Sequence, residues 1–281
     1  MTDLNHLPNT VFITGKNSKT GSRVDRLLTA SNVKTKALTR QSAPAFDWLQ
    51  PDTWQDAMAG CDAAYVCFQP DLAIPQAEAA ITEFIKQAKV AGIQHIVLLS
   101  GRGEAGAQQA EQLVINSGLR WNIVRASWFA QNFSEGFLID GVLSNQVALP
   151  AGTVLEPFID VDDIAEVAAA CFTRHDLINQ VFEITGPELL TFADCTRIIA
   201  ANLQRPIDFI PLSNSDFIAG MKAQGFPAEV IWLMEELFTN VMDGRNSHTT
   251  DTVERVLGRP ARRFDAYVKA TAESGVWNIN A

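Results

Sequence analysis

The stretch Thr10-Val-Phe-Ile-Thr-Gly-Lys-Asn-Ser-Lys-Thr-Gly-Ser-Arg-Val24 decides the fold. Val11 to Thr14 is a short apolar run of the kind buried in a sheet. Gly15 opens a turn and Gly21 closes it; Val24, Leu27 and Leu28 then recur at helical spacing. Strand, glycine turn and helix together aim backbone N–H groups and a positive helix end at a phosphate. Lys16, Asn17, Ser18, Lys19 and Thr20 make up the turn. Two lysines there, with Arg23 beyond, concentrate positive charge in a chain of formal net charge −10. An ordinary strand-to-helix turn has the same outline, so the reading depends on what comes next.

The next strand, Val33 to Thr39, ends in Arg40, and no Asp or Glu lies between Asp25 and Asp47. In a dinucleotide fold this position faces the adenosine ribose. An acid there holds the 2′-hydroxyl of NAD, whereas an arginine accommodates the 2′-phosphate of NADP. The expected cofactor is therefore NADP(H) rather than NAD(H), with a solvated arginine at a strand end as the alternative. Gly-x-Gly-x-x-Gly is absent from the first turn, where Ser18 replaces the middle glycine. A formal match stands instead at Gly101-Arg-Gly-Glu-Ala-Gly106, after the apolar run Ile96 to Leu99. A lone match is weak evidence. The first turn opens the βαβ series and is the expected pyrophosphate site; the second is read as a flexible loop at the same sheet edge.

Further strands are expected at Ala63–Phe68, Ile96–Leu99, Trp121–Val124, Val181–Thr185 and Ile207–Pro211. A helix is expected from Pro75 to Ala91, closed by Gly92. A polar helix follows over Ala107–Asn116. Asp162 or Asp163 is expected to cap the helix that holds Ile164, Val167 and Cys171, and Thr191 the helix Phe192–Leu203. This alternation predicts an α/β fold: a Rossmann-like, doubly wound parallel sheet with a smaller, mainly helical C-terminal substrate domain. Residues 1–185 are assigned to the dinucleotide domain, with 128–157 contributing to a substrate pocket, and 186–281 to the smaller region. Ligands of such sheets sit beyond the carboxyl ends of the strands at the switch point, which groups Gly15, Phe68-Gln69-Pro70, Ser100 and the segment after Arg125.

The 281 residues, 47% hydrophobic and 19% charged, are those of a folded soluble protein. Met1 to Thr10 lacks an apolar signal core, and no run approaches the roughly 18–20 residues that span a bilayer. A pI near 4.9 disfavours a general nucleic-acid binder. Cys61, Cys67, Cys171 and Cys195 lack C-x-x-C spacing and read as buried free thiols of a cytoplasmic protein. His6, His95, His175 and His248 have no metal-ligand spacing, so no metal is expected.

Longer segments then bring a family into view. They are the Thr14–Gly21 turn, Phe46-Asp-Trp with Asp52-Thr-Trp54, Asp62-Ala-Ala-Tyr-Val66 and Val97-Leu-Leu-Ser100. Ser127-Trp-Phe-Ala-Gln-Asn-Phe-Ser-Glu135, Asp162-Asp-Ile164, Gly186-Pro-Glu-Leu-Leu-Thr191 and Val253-Glu-Arg-Val-Leu-Gly-Arg-Pro260 complete the set. Together they span nearly the whole chain. The sequence resembles the NmrA-like, atypical short-chain dehydrogenase/reductase family, and within it the ergot-alkaloid dehydrogenases of the festuclavine synthase and agroclavine dehydrogenase type. The resemblance implies NADP binding by the glycine turn and Arg40, with Phe68, Gln69 and Pro70 flanking the adenosine. It implies that Ser100, Trp128, Phe129 and Asn132 line the nicotinamide and substrate pocket.

Hydride transfer to a neutral carbonyl needs a proton donor for the developing alkoxide. The common short-chain dehydrogenase donor is a tyrosine with a lysine four residues later. This chain has two tyrosines; Tyr65 is followed at that spacing by Gln69 and Tyr267 by Thr271. The reading is therefore an NADPH-dependent reductase acting on a small organic acceptor that needs no strong acid: an iminium or imine, a quinone or an activated alkene. Trp128 and Phe129 would be apolar or cation–π walls, Phe133 a neighbouring wall or plain core, and Asn132 an orienting hydrogen-bonder. The alternative is a non-catalytic NADP-binding sensor of the NmrA type. The expected partner is a small molecule, with neither nucleic acid nor membrane; the oligomeric state is left open.

Overall fold

The computed structural model describes residues 7–279; His6 and most of the Met1–Thr10 stretch lie outside them. Along the chain run β1 (Thr10–Thr14), α1 (Gly21–Ala30), β2 (Lys34–Leu38), α2 (Trp54–Met58), β3 (Ala63–Val66), α3 (Gln76–Ala91), β4 (His95–Gly101), α4 (Ala105–Ile115) and β5 (Arg120–Ala126). Next come α5 (Asn132–Glu135), α6 (Ile139–Leu143), β6 (Gln146–Leu149), α7 (Val161–Thr173) and β7 (Gln180–Ile184). The remainder is α8 (Phe192–Leu203), β8 (Asp208–Pro211), α9 (Asn214–Ala223), α10 (Ala228–Glu236), α11 (Thr252–Leu257) and α12 (Phe264–Glu273).

The chain divides into two compact units. One comprises the described residues through Ala126 together with Ile164–Glu183; the other comprises Ser127–Asp163 with the described residues from Ile184 onward. The expected division at residue 185 differs from this in one segment. Residues 127–163 leave the sheet after β5 and fold with the C-terminal helices, and the chain then returns to the sheet through α7 and β7.

In the first unit six strands lie in the order β2-β1-β3-β4-β5-β7. The pairs β1–β2, β1–β3, β3–β4 and β4–β5 are parallel. Asn179 N–H donates to the Trp121 carbonyl and Ser127 N–H to the Ile184 carbonyl, so β7 runs the same way. After β2 the chain crosses back over β1 to reach β3. That reversal is the switch point, and it lies at the carboxyl ends of β1 and β3. Thr14 clamps it: its hydroxyl accepts from Cys67 N–H at 2.8 Å and donates to the Cys67 carbonyl at 3.1 Å.

The strands are buried because helices cover the sheet, and their sequences read as near-continuous apolar runs for that reason. The Phe46-Asp-Trp segment is packing: Phe12, Phe46, Trp48, Trp54 and Phe84 form one aromatic cluster, with Phe46 edge-on to Phe12 at 5.3 Å. α3 ends as expected, on Gly92 in the left-handed region (φ 96°). At the opposite edge of the sheet His95 is buried and donates Nε2–H to Asn122 Oδ1 at 2.9 Å. Burial pushes its pKa down to about 4, so the ring is neutral.

The second unit is built on aromatic packing. Phe133, Phe158, Phe192 and Phe264 meet in its core, and Trp277 Nε1 donates to the Phe133 carbonyl at 2.8 Å. β6 and β8 pair as a parallel two-stranded sheet. Thr191 caps α8 through a full capping box with Asp194. The cap of α7 is neither Asp162 nor Asp163. Asp160 accepts from Asp162 N–H at 2.8 Å, while the buried Asp163 faces Arg259 and Arg262. The helix begins at Val161, so Asp160 stands at the cap and Asp162 and Asp163 lie in the first turn; the buried Asp163 carboxylate needs its counter-charges. All four cysteines are free and buried. No helix among the described residues is long and apolar enough to cross a membrane.

Candidate functional site

The first turn is shaped by its two glycines. Gly15 sits at φ 69°, in the left-handed region where a Cβ costs free energy. Ser18 N–H returns to the Gly15 carbonyl at 2.8 Å, and Gly21 N–H donates to Ser18 Oγ at 2.9 Å. A Cβ on Gly21 would stand 2.3 Å from the Gly15 carbonyl oxygen, so only glycine lets α1 begin this close to the strand end. The serine that replaces the middle glycine of the motif thus closes the turn, because its hydroxyl receives the first N–H of α1. The result is a tight turn that presents backbone, which is the surface a pyrophosphate requires.

Lys16 and Asn17 are exposed at the tip, and Ser18 and Lys19 are half-buried. Thr20 is buried beneath them. Under the turn lie Tyr65 and Cys67. Burial raises both pKa values. Lys16 N–H reaches the Leu38 carbonyl at 3.3 Å, which ties the turn to the end of β2 and so to the exposed Arg40 two residues on. Gln69 comes up from the β3 side, its Nε2 3.8 Å from where a Gly15 Cβ would be. Phe68 is buried against Trp48, ring centroids 4.8 Å apart, and Pro70 is exposed beside it. Gly15, Ser18, Gly21 and Gln69 are thus brought together, with Arg40 at the neighbouring strand end.

The formal motif at Gly101–Gly106 is built differently. A Cβ on Gly101 would meet the Glu104 carboxylate at 2.1 Å, and one on Gly106 the Ala73 carbonyl oxygen at 2.3 Å. Its glycines make room for the protein's own groups.

Ser100, expected beyond the end of the strand Ile96–Leu99, is the penultimate residue of β4 and 4% exposed. Its hydroxyl donates to Glu111 Oε1 at 2.6 Å. Glu111 lies on α4, is wholly buried, and is gripped by Arg125 through Nε at 2.9 Å and Nη2 at 2.5 Å. Arg125 and Arg102 both pair with Glu183, whose pKa falls despite partial burial because of these two guanidinium groups. The sequence reading missed this chain of charges. The one signal is a lone acid among small residues in α4.

In the second unit, Trp128 is half-buried among Phe192 (5.2 Å), Phe238 (5.6 Å) and Phe137 (6.4 Å). Phe129 is half-buried and bridges to Ile159. Asn132 opens α5, and among the described residues its side-chain amide has no hydrogen-bond partner. Phe133 is corrected: it is 0% exposed in the aromatic core and forms no wall that a ligand could touch.

The chain is 29% identical over 288 residues to the NAD(P)H azoreductase of Xenophilus azovorans, covering 93% of this chain and 98% of that protein. It is 27% identical over 288 residues to the agroclavine dehydrogenase of Claviceps fusiformis, covering 95% and 98%, which matches the expected resemblance. Its fold is that of the Citrobacter sp. triphenylmethane reductase solved with NADP(H), with a TM-score of 0.78 at 18% identity over 93% of this chain and 99% of that one. The profile of an NAD(P)H-binding family matches residues 15–175, from the first glycine of the turn to just past α7. That match spans more than half of the chain, and the chain belongs to the NAD(P)H-binding family.

Proposed function

We propose that the protein is an NADPH-dependent reductase that delivers hydride to a small, electron-poor organic acceptor, an iminium or imine first and a quinone or activated alkene second. The observation that carries the choice of acceptor is the placement of the two tyrosines. Tyr65 is buried in β3, and Tyr267 is buried with its hydroxyl donating to Ser134 at 2.8 Å. Burial pushes both phenols up, away from easy proton release. A carbonyl acquires a full negative charge unless an acid protonates it. An iminium carbon already carries positive charge, and hydride addition leaves a neutral amine without a proton step. The names of the azoreductase and agroclavine dehydrogenase relatives are in keeping with reduction at such centres.

In this reading NADPH supplies the hydride when bound. The turn from Gly15 to Gly21 holds the pyrophosphate, and Arg40 pairs with the 2′-phosphate. Phe68, Gln69 and Pro70 lie along the adenosine. Trp128 and Phe129 offer an apolar or cation–π surface to the acceptor, and Asn132 orients it through its open amide. Ser100 is not a proton donor, because its proton is committed to Glu111.

The test follows NADPH oxidation with iminium, enone and quinone acceptors and with a neutral ketone matched to the iminium. Turnover on the first group and not on the ketone is expected. Ready ketone reduction, with a rate controlled by an ionising group of the enzyme, overturns the acceptor class. Tight NADPH binding without turnover on any acceptor replaces the enzyme reading with that of a sensor.

A further inference from the structure

The direction of one buried hydrogen bond fixes what Ser100 can offer a ligand. Glu111 is wholly buried, and three hydrogen bonds converge on its two oxygens: Ser100 Oγ at 2.6 Å, Arg125 Nε at 2.9 Å and Arg125 Nη2 at 2.5 Å. A carboxylate beside a guanidinium is ionised and accepts only. The hydrogen in the short O···O contact therefore belongs to Ser100. β4 and β5 pair Ser100 directly with Arg125, so strand register and side chains hold the arrangement together. Arg125 is braced in turn by Glu183, and Glu183 by Arg102. With its proton spent inward, the Ser100 oxygen keeps acceptor lone pairs, and among the described residues no N–H or O–H donates to it. Ser100 lies at the carboxyl edge of the same sheet as the glycine turn, two strands from β1, a lateral offset of about 10 Å.

We propose that Glu111, locked by Arg125, positions Ser100 as a hydrogen-bond acceptor for the carboxamide N–H of the nicotinamide ring. This rests on the reading that the turn at Gly15–Gly21 binds NADPH. Glu111 and Arg125 are positioning residues: they fix the polarity of Ser100 and touch no ligand.

The experiment titrates NADPH and its 3-acetylpyridine analogue by fluorescence, with no acceptor present. The analogue has a methyl ketone in place of the amide and lacks the N–H. Ser100→Ala should weaken NADPH by about 2- to 12-fold, the worth of one neutral hydrogen bond, and leave the analogue unchanged. Ser100→Thr, which retains the hydroxyl, should keep the wild-type preference between the two nucleotides. Glu111→Gln is the polarity test. Ser100 and Arg125 Nε share Oε1, so the amide oxygen holds that place, Ser100 goes on donating inward, and only the contact with Arg125 Nη2 is lost. The wild-type preference between the two nucleotides should therefore survive, and its reversal would overturn the assigned polarity. Thermal melts of each variant separate this from loss of fold; if Glu111→Gln does not fold, the serine pair decides. Equal losses for both nucleotides in Ser100→Ala, or no loss for either, overturn the proposal. Wild-type protein that binds neither nucleotide removes the cofactor reading itself, and the Ser100 assignment with it.

Discussion

Two glycine-bearing turns leave the carboxyl edge of one sheet, and they differ in what fills them. The turn after β1 lacks the Gly-x-Gly-x-x-Gly pattern, yet it is closed on itself by Ser18 and faced with backbone. The turn after β4 has the pattern, yet its first and last glycines stand against the Glu104 carboxylate and the Ala73 carbonyl. A fingerprint of glycines records where side chains are excluded; it does not record what excludes them. In the first turn the excluded Cβ positions meet the turn's own Ser18 and Gly15 carbonyl, so the loop closes on itself with no acidic group in it. In the second the exclusion makes room for the protein's own carboxylate, which would repel a phosphate.

The largest expected effect therefore belongs to Gly15→Val. The native φ of 69° is a poor place for a β-branched residue, and its Cβ would also press on Ser18 Oγ at 3.1 Å. NADPH binding should be lost beyond measurement in a fluorescence titration, while the melting temperature falls only by the cost of one strained residue. Retained binding would move the pyrophosphate away from this turn.

Arg40→Ala should come next. One charge-assisted contact with a phosphate is worth roughly 1.5–3 kcal/mol, about 10- to 150-fold in affinity. Calorimetry should show that loss for NADPH and almost none for NADH. Equal losses for both nucleotides would remove Arg40 from the 2′-phosphate and leave the first turn without its expected specificity partner.

The sheet and its first turn were legible because their determinants are local. A short apolar run, a glycine and a helical stripe lie within fifteen residues, and Arg40 is read by position alone. The same holds for Gly92 and Thr191 as helix ends. What the sequence hid is side-chain pairing between elements. Ser100 and Glu111 are joined across a strand and a helix, and Arg102 meets Glu183 from 81 residues away. Such pairs leave no periodic trace, so α4 read as a polar helix although Glu111 is wholly buried in it. Phe133 was ambiguous for a related reason: an aromatic residue beside Trp128 suits a pocket wall and a core equally, and only packing against Phe158 and Phe264 separates them. The cap of α7 is Asp160 because the helix begins at Val161, earlier than its apolar stripe from Ile164 suggests, while Asp163 meets two arginines about a hundred residues away in sequence.

Gly106→Ala sharpens the contrast from the other side. The added Cβ collides with a main-chain carbonyl, which moves less easily than a side chain. Overpacking of this kind costs about 1–3 kcal/mol, so denaturant unfolding should show a lower midpoint. The NADPH dissociation constant should stay within about twofold of wild type, since the error of such titrations is smaller than the roughly 1.4 kcal/mol that a tenfold change represents. A large loss of affinity with little loss of stability would mean that the second turn holds the phosphates after all.

The smallest effect on binding is expected from Gly103→Val, the closest matched control for Gly15→Val. Gly103 has φ 79° against 69° for Gly15, so the same substitution imposes nearly the same backbone strain at both turns. That strain is of order 1–3 kcal/mol for a non-glycine residue held there. Both variants should therefore lose stability in a thermal or denaturant melt, with the contact on Ser18 as an added cost for Gly15→Val. Their affinities for NADPH should part completely, with Gly103→Val near wild type and Gly15→Val without binding. Because the backbone strain is shared, it does not explain a difference in affinity, and that difference reports which turn meets the pyrophosphate. Turnover is a separate matter, since a stiffened Gly101–Glu104 loop adjoins Ser100 and can slow the reaction without weakening the nucleotide. If both variants lose NADPH equally, the two turns hold the cofactor together. If Gly103→Val alone loses it, the motif was the better guide than the geometry.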